Sequence, residues 1–483
     1  MTSLIAVLGS GRKALACGVM SSPSASRLIR RGTLVCGVIG LAMLGACGGG
    51  GSASPAAQSP PVAAPAASTS ATNTTTPTPA APTIVTQPRS QPVPAGQPAT
   101  FSVAAAGSGT LRYQWWRNGA AVEGATAATY TSAPVTLKDS GDVVRVAVSN
   151  DLGSVGSEAA AVLVEGVGTR LLAGRAPGVI LERSDGLGKE ALFLHAGSLA
   201  LDGAGALLVL DARMRSIRKV STEGLVTTST YWPYATGGEH YPRHIAAGTG
   251  GALYVTDGAS AERASVLRKI AADRTHSTLA LPADPGDPLA ADGSALPVNL
   301  TALATDTSGN VFVASEVTRT GPDECSSCYT RSMVRKIAPD GKVTLLLVIH
   351  SGPQTGIVKG LAADRSGNVY VLDAGKLVKI DAAGAVTTVM RNDLHYMNAI
   401  AVDAAGNLFF TAQTFSGVYS TWPHSAIGKV TPQGAVSIVA DPAKDVRFDI
   451  SPEWLDSPIA LVADAAGVLY VSTPSRVRKL VLP

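Results

Sequence analysis

The stretch LAADRSGNVYV, residues 361–371, decides the fold, because it recurs. The related segments are SLALDGAGALLV (198–209), AAGTGGALYV (246–255), LATDTSGNVFV (303–313), IAVDAAGNLFF (400–410) and LVADAAGVLYV (461–471). Each is a short apolar run ending at Asp or an equivalent, a turn containing Gly205, Gly251, Gly309, Gly367, Gly406 or Gly467, and a second apolar run. The alternation and the turn residues predict a hairpin. Four copies continue as a basic-apolar run, a turn and a further run: IRKVSTEGLVTT, VRKIAPDGKVTLL, LVKIDAAGAVTTV and IGKVTPQGAVSIV; LRKIAADRTHSTL is a degenerate fifth.

Each unit therefore reads as four short strands, and such a unit cannot bury both faces alone, so neighbours must stack. Closing the stack into a ring removes most exposed edges. The sequence thus predicts a six-bladed β-propeller over 167–483, and its repeats resemble NHL repeats. The last unit stops after Val477-Arg478-Lys479-Leu480-Val481; Thr169-Arg170-Leu171-Leu172-Ala173 matches the fourth-strand pattern and is expected to complete it.

Upstream, residues 83–165 alternate β-branched runs with Gly, Asn and Asp turns. Tyr113-Gln114-Trp115-Trp116-Arg117-Asn118-Gly119, Asp139-Ser140-Gly141 and Val146-Ala147-Val148-Ser149-Asn150 resemble bacterial Ig-like domains. The resemblance implies a β-sandwich with Trp115 in its core, and with Val103 and Val146 where the family's disulfide would be. Trp116 alternates to the other face, as a contact residue or as an incidental surface residue on a spacer. The expected fold class is all-β: an Ig-like β-sandwich followed by a six-bladed NHL-type β-propeller closed by an N-terminal strand.

The first 46 residues carry Arg12, Lys13, Arg27, Arg30 and Arg31 and no acid. The chain has 483 residues and a formal charge of +4; without that segment 34 basic side chains face 35 acidic ones. A near-neutral remainder offers no electrostatic footprint for nucleic acid. Arg27, Arg30 and Arg31 precede an apolar run, Leu34 to Leu44, that is too short to span a bilayer. It ends in Leu44-Gly45-Ala46-Cys47, which resembles the bacterial lipobox. The resemblance implies a lipoprotein signal peptide over 1–46, lipidation of Cys47 and, with Gly48 following, an outer-membrane destination; translation starts at Met1 or Met20. The alternative is an ordinary signal peptide with a chance Cys. Residues 47–82, rich in Pro, Ala, Ser and Thr, read as a disordered tether. The expected location is the bacterial cell envelope, with the membrane reached through the lipid anchor only.

Antiparallel order places the loops before strand one and between strands two and three on one face. The long insertions (229–243, 280–298, 314–332, 411–426, 441–457) all fall there, bringing Trp232, Tyr234, Tyr419, Trp422 and Trp454. Aromatic side chains combine area with a polar handle, which suits a protein or glycan partner, although long loops also use them for small cores of their own. Counting five residues back from the turn Asp gives Gly197, Arg243, Thr301, Lys359, Asn398 and Ile459 around the channel mouth. Arg243 and Lys359 are candidates to hold a carboxylate or phosphate, or are simply solvated or paired.

Neither a metalloprotease, nucleophile-elbow, phosphate-loop, dinucleotide nor EF-hand motif occurs, so no catalytic residue, metal or cofactor is assigned. Some six-bladed propellers are metal-dependent lactonases or lyases that ligate the ion from the channel wall. The inferred ring has one amide, Asn398, with His244 beside it and no carboxylate, which favours a binding or scaffold role over that enzyme alternative. Cys325 and Cys328 form a Cys-x-x-Cys with no complementary ligand pair for zinc and no helical context for redox activity, so a local disulfide in an envelope compartment is the expected state.

Overall fold

The repeat motif works through its aspartate. In the computed structural model, Asp364 Oδ1 accepts the N–H groups of Ser366 and Asn368 at 2.9 Å, and Oδ2 accepts Asn368 Nδ2 at 2.7 Å. Asp306 and Asp403 hold Asn310 and Asn407 in the same way, while Asp202 and Asp464 keep the two backbone bonds without an asparagine partner. The glycine at the third position after each aspartate has φ between 79° and 84°, the left-handed region that a side chain resists. One carboxylate thus closes five of the six first hairpins and aligns the two strands each joins, while in the second sheet Gly248 stands in the aspartate's place.

The structure describes residues 78–175, 184–231, 241–258, 264–281, 298–319, 329–351, 357–373, 376–391, 397–414, 424–441 and 459–483. Among them the secondary structure is all-β apart from three short 3-10 turns, and no helix is long and apolar enough to cross a membrane. Six antiparallel sheets follow one another from residue 168 onward. Their first strands are Ala196–Leu201, Pro242–Ala247, Asn299–Thr305, Gly360–Ala363, Met397–Val402 and Ala460–Ala463. Each first strand lies against that of the next sheet, and Ala460–Ala463 returns to Ala196–Leu201, so the array is a ring: the β-propeller architecture.

Closure follows the expected seam. Gly168–Ala173 pairs antiparallel with Val477–Val481, with Thr169 opposite Leu480 and Leu171 opposite Arg478, which gives the last sheet its fourth strand. Every gap between sheets is filled by side chains from both sides. Leu208 and Ile217 meet Ile245 and Val255; Tyr254 meets Leu300 and Val313; Phe312 meets Leu361 and Val371. Tyr370 then meets Ile400 and Phe410, Phe409 meets Leu461 and Val471, and Tyr470 with Leu172 meets Phe193 and Leu199. Phe409 and Phe410 point to opposite faces of one strand and are both buried, which explains why these strands read as continuous apolar runs.

Two features were not expected. Gly186–Leu187 adds a fifth strand outside Leu225–Tyr231 in the first sheet. The first arginine of the basic-apolar strands is buried: Arg218, Arg335 and Arg478 are all below 9% exposed. Arg218 donates to Leu192 O, Ser184 O and Asp185 Oδ1, and lies over the Phe193 ring.

Residues 78–165 form a second β-layered body. Its larger sheet runs Gln91–Pro94, Ala160–Glu165, Val143–Asn150, Arg112–Arg117, Ala120–Ala121, with Gly153–Gly156 alongside Val143–Asn150. The pairs Thr83–Thr86 with Ala104–Ala106 and Pro98–Ser102 with Thr129–Pro134 complete it. Trp115 is fully buried among Phe101, Val103, Tyr130, Val146 and Val148, and its indole N–H donates to Ala127 O at 2.8 Å. Val103 and Val146 therefore share one apolar core. Trp116, on the opposite face, is 41% exposed.

This body is joined to the ring by more than its linker. Gly141 O accepts the N–H of Lys189, the ammonium of Lys189 pairs with buried Asp142, and Arg145 forms a two-pronged pair with Glu190. Val143 and Ala161 pack on Leu187, and Gly141 touches Leu171 of the closing strand. The described residues belong to one compact unit, Thr76–Pro483.

Candidate functional site

The six first strands surround an axial cavity of about 350 Å³. Its wall is made of small and branched apolar residues, among them Leu199, Ala246, Ala302, Leu361, Ala401 and Leu461. His244, Lys359 and Asn398 sit at one end, where with Gly197 and Ile459 they form the mouth, and Thr305 lines the cavity at the other end of its strand.

A repeated irregularity shapes that mouth. Register slips between Ala196 and Ser198, Pro242 and His244, Leu300 and Ala302, and Met397 and Ile400. These are β-bulges, which re-aim side chains at the rim of a closed sheet. A buried threonine from the second strand satisfies a backbone donor there: Thr256 Oγ1 accepts His244 N–H at 3.2 Å, and Thr411 Oγ1 accepts Ala399 N–H at 3.0 Å. The bulges also correct the expected register at two positions. His244 and Ala302, rather than Arg243 and Thr301, line the cavity. Arg243 is exposed beside it, its stem lying over Gly258.

The expected site residues divide accordingly. Lys359 and Asn398 meet at the mouth, and Arg243 stands on its rim. Trp232, Tyr234, Tyr419, Trp422, Trp454, Cys325, Cys328 and Cys47 lie outside the described residues. Among the described residues no group of three or more His, Cys, Asp and Glu is placed to hold a metal ion.

Among the described residues, Arg243 and Lys359 bring positive charge to the mouth, and burial disfavours the charged form of the imidazoles in and beside it. Desolvation, and then the adjoining Arg243 charge, push the His244 pKa down to about 4. His195 is lowered by burial and by Arg213, with Asp211 opposing. Its ring folds against Gly197, leaving 3.1 Å to where a Cβ would stand. A neutral imidazole can donate or accept a hydrogen bond, while the permanent charges belong to Arg243 and Lys359.

Sequence reading missed Arg213 and Arg215, on the hairpin between Leu207–Asp211 and Ser216–Val220. The available signal was Asp-Ala-Arg-Met-Arg-Ser, a tight connection with arginine where Gly or Asn is usual.

No family model matches the chain, and no curated protein matches it. Among solved propeller structures it is similar to an auxiliary nutrient binding protein from Bacteroides thetaiotaomicron VPI-5482, at 13% identity and a TM-score of 0.43, covering 83% of this chain and 97% of that one. It is similar to the gluconolactonase XC5397 from Xanthomonas campestris at 15% identity and a TM-score of 0.39, covering 61% of this chain and 89% of that one. It is also similar to virginiamycin B lyase from Staphylococcus aureus at 12% identity and a TM-score of 0.37, covering 59% of this chain and 94% of that one.

Proposed function

We propose that this chain is a lipid-anchored cell-envelope binding protein, in which an Ig-like sandwich on a disordered tether presents a six-bladed, NHL-type propeller. Its partner is a protein or a glycan, engaged on the face that carries the channel mouth. The observation that carries the reading is the mouth itself: Lys359 and Asn398 line the open end of a cavity whose other lining side chains are mostly apolar, with Arg243 exposed beside it, and a few polar groups set among apolar side chains are the usual make-up of a ligand site. The anchor rests on the lipobox-like segment ending at Cys47. In cells fed radiolabelled palmitate the wild type becomes labelled and fractionates with the outer membrane, whereas Cys47→Ala loses the label; label retained by the variant contradicts the anchor.

The reading is tested by retaining envelope components on the full chain and on Lys359→Ala/Asn398→Ala. The double variant is expected to lose at least tenfold in retention while unfolding at the same temperature; equal retention refutes the mouth as the binding face. A second reading, a lactonase- or lyase-type enzyme acting in the channel, is favoured by one observation. His244 lines the mouth of the cavity, and an imidazole is the side chain most often used for proton transfer. Turnover of a lactone that His244→Gln abolishes would select it.

A further inference from the structure

We infer that the rim of the first and second sheets carries a second recognition element, in which Arg213, Arg215, Tyr241 and Arg243 bind the carboxylate of an acidic saccharide. The inference rests on the mouth face being the binding face and specifies the chemistry bound there.

The element is built rather than incidental. The hairpin bearing Arg213 and Arg215 is pinned from below by Asp211, which is fully buried and accepts the N–H groups of Leu194, His195 and Met214. Ala212 N–H donates to His195 O, and Arg215 N–H donates to Ala212 O. Arg215 has φ 49°, a left-handed conformation uncommon for a long side chain. Such strain persists where the surroundings impose it, and it gathers at binding sites. Here it places the Arg215 guanidinium over the Tyr241 ring, 4.7 Å from the centroid, bridging the first and second sheets.

Tyr241 remains 44% exposed, and its carbonyl accepts Gly258 N–H at 2.8 Å. Gly258 in turn makes room for Arg243: a Cβ there would stand 2.8 Å from Arg243 Nε. Arg215 is thereby held over an exposed aromatic ring, and Arg243 follows that tyrosine by two residues with its stem over Gly258.

Arg112, Arg117, Arg145, Arg218 and Arg268 each face a carboxylate, whereas Arg213, Arg215 and Arg243 form no ion pair among the described residues. Among the described residues, the carboxylates of the two sheets nearest this rim face other groups: Asp211 faces backbone N–H groups and Arg218, and buried Asp257 faces Arg268. Planar guanidinium forks match a carboxylate two-pronged, so like charges gathered on one rim suit an anion. The exposed edge of Tyr241 adds an apolar surface with a hydroxyl at its tip, suited to the mixed C–H and O–H surface of a sugar ring.

The test is calorimetric titration of the full chain with trigalacturonate, with its methyl ester, and with inorganic phosphate. The acid is expected to bind, and the ester, which removes the charge and adds a methyl group at each carboxyl, to bind at least tenfold more weakly. Raising salt from 0.1 to 0.5 M, roughly one Debye length of about 10 Å shortened to about 4 Å, should weaken the acid severalfold. Arg215→Gly is the deciding variant, since it relieves the left-handed strain and should unfold no earlier than wild type while losing at least tenfold in affinity. Arg243→Ala should behave alike, and Arg215→Lys should recover only part of the loss. Equal binding of acid and ester, no binding of the acid, unchanged affinity in Arg215→Gly, or phosphate or an acidic peptide binding as tightly as the acid each overturns the inference. If envelope components are still retained through Lys359 and Asn398, only the saccharide assignment falls; if that retention is also absent, the binding face itself is wrong.

Discussion

At the scale of single residues the ring depends on polar atoms that are matched in place. Asp364 serves two backbone donors, the Asn368 amide and the Tyr370 hydroxyl, which donates at 3.1 Å; burial and that carboxylate hold the Tyr370 pKa far above its usual value. Tyr470, which donates to Asp464, is pushed up to about 12 for the same reasons. His244 supplies a prediction with a definite sign. Its folded pKa lies near 4 against an ordinary value near 6.5, so between those pH values the unfolded chain binds a proton that the folded chain excludes. Stability contributed by the neutral imidazole is intact above about pH 6.5 and drains away as the pH falls toward 4. His244→Gln should therefore show a smaller drop in melting temperature between pH 7 and pH 4.5 than wild type; an identical drop would assign the acid sensitivity elsewhere. Residue-scale legibility was uneven. The Asp-x-x-Gly turns could be read because the spacing is the mechanism. The buried arginines could not, because Arg218 finds its partners, Ser184, Asp185 and Leu192, far from it in the chain.

Among the elements, the strands and their order were readable from alternation and turn residues, and the seam from a missing fourth strand. The bulges were not, since one extra residue leaves no compositional trace, and this is why Arg243 and Thr301 were counted into the lining in place of His244 and Ala302. The short strand Gly186–Leu187 escaped for the opposite reason: two residues carry no period. Yet this strand and the turn after it form the junction with the sandwich. Gly188 has φ 54°, and a Cβ there would stand 2.2 Å from Gly141 O. Gly188→Ala should cost at least about 1–3 kcal/mol from backbone strain, with the clash in addition. Thermal unfolding checks it, and an unchanged melting temperature would show that the sandwich does not sit on this turn. The two-pronged Arg145–Glu190 pair is partly exposed and contributes modestly; buried Asp142, shared by Arg117 and Lys189, is the stronger anchor.

For the molecule as a whole, function depends on circularity. Only a closed ring places His244, Lys359 and Asn398, contributed by the second, fourth and fifth sheets, around one opening, with Arg213, Arg215 and Tyr241 on the adjoining rim. The sandwich touches the closing strand, so the module that precedes the ring also braces its seam. The most direct measurement is native-state hydrogen exchange on the full chain, following the amides of Gly168–Ala173 against those of Leu469–Ser472 in the same sheet. A closed ring predicts that paired amides in the two strands exchange together, at rates set by global unfolding. Exchange of Gly168–Ala173 at the rate of an unstructured peptide, while Leu469–Ser472 stays protected, would mean an open seam and would contradict the account.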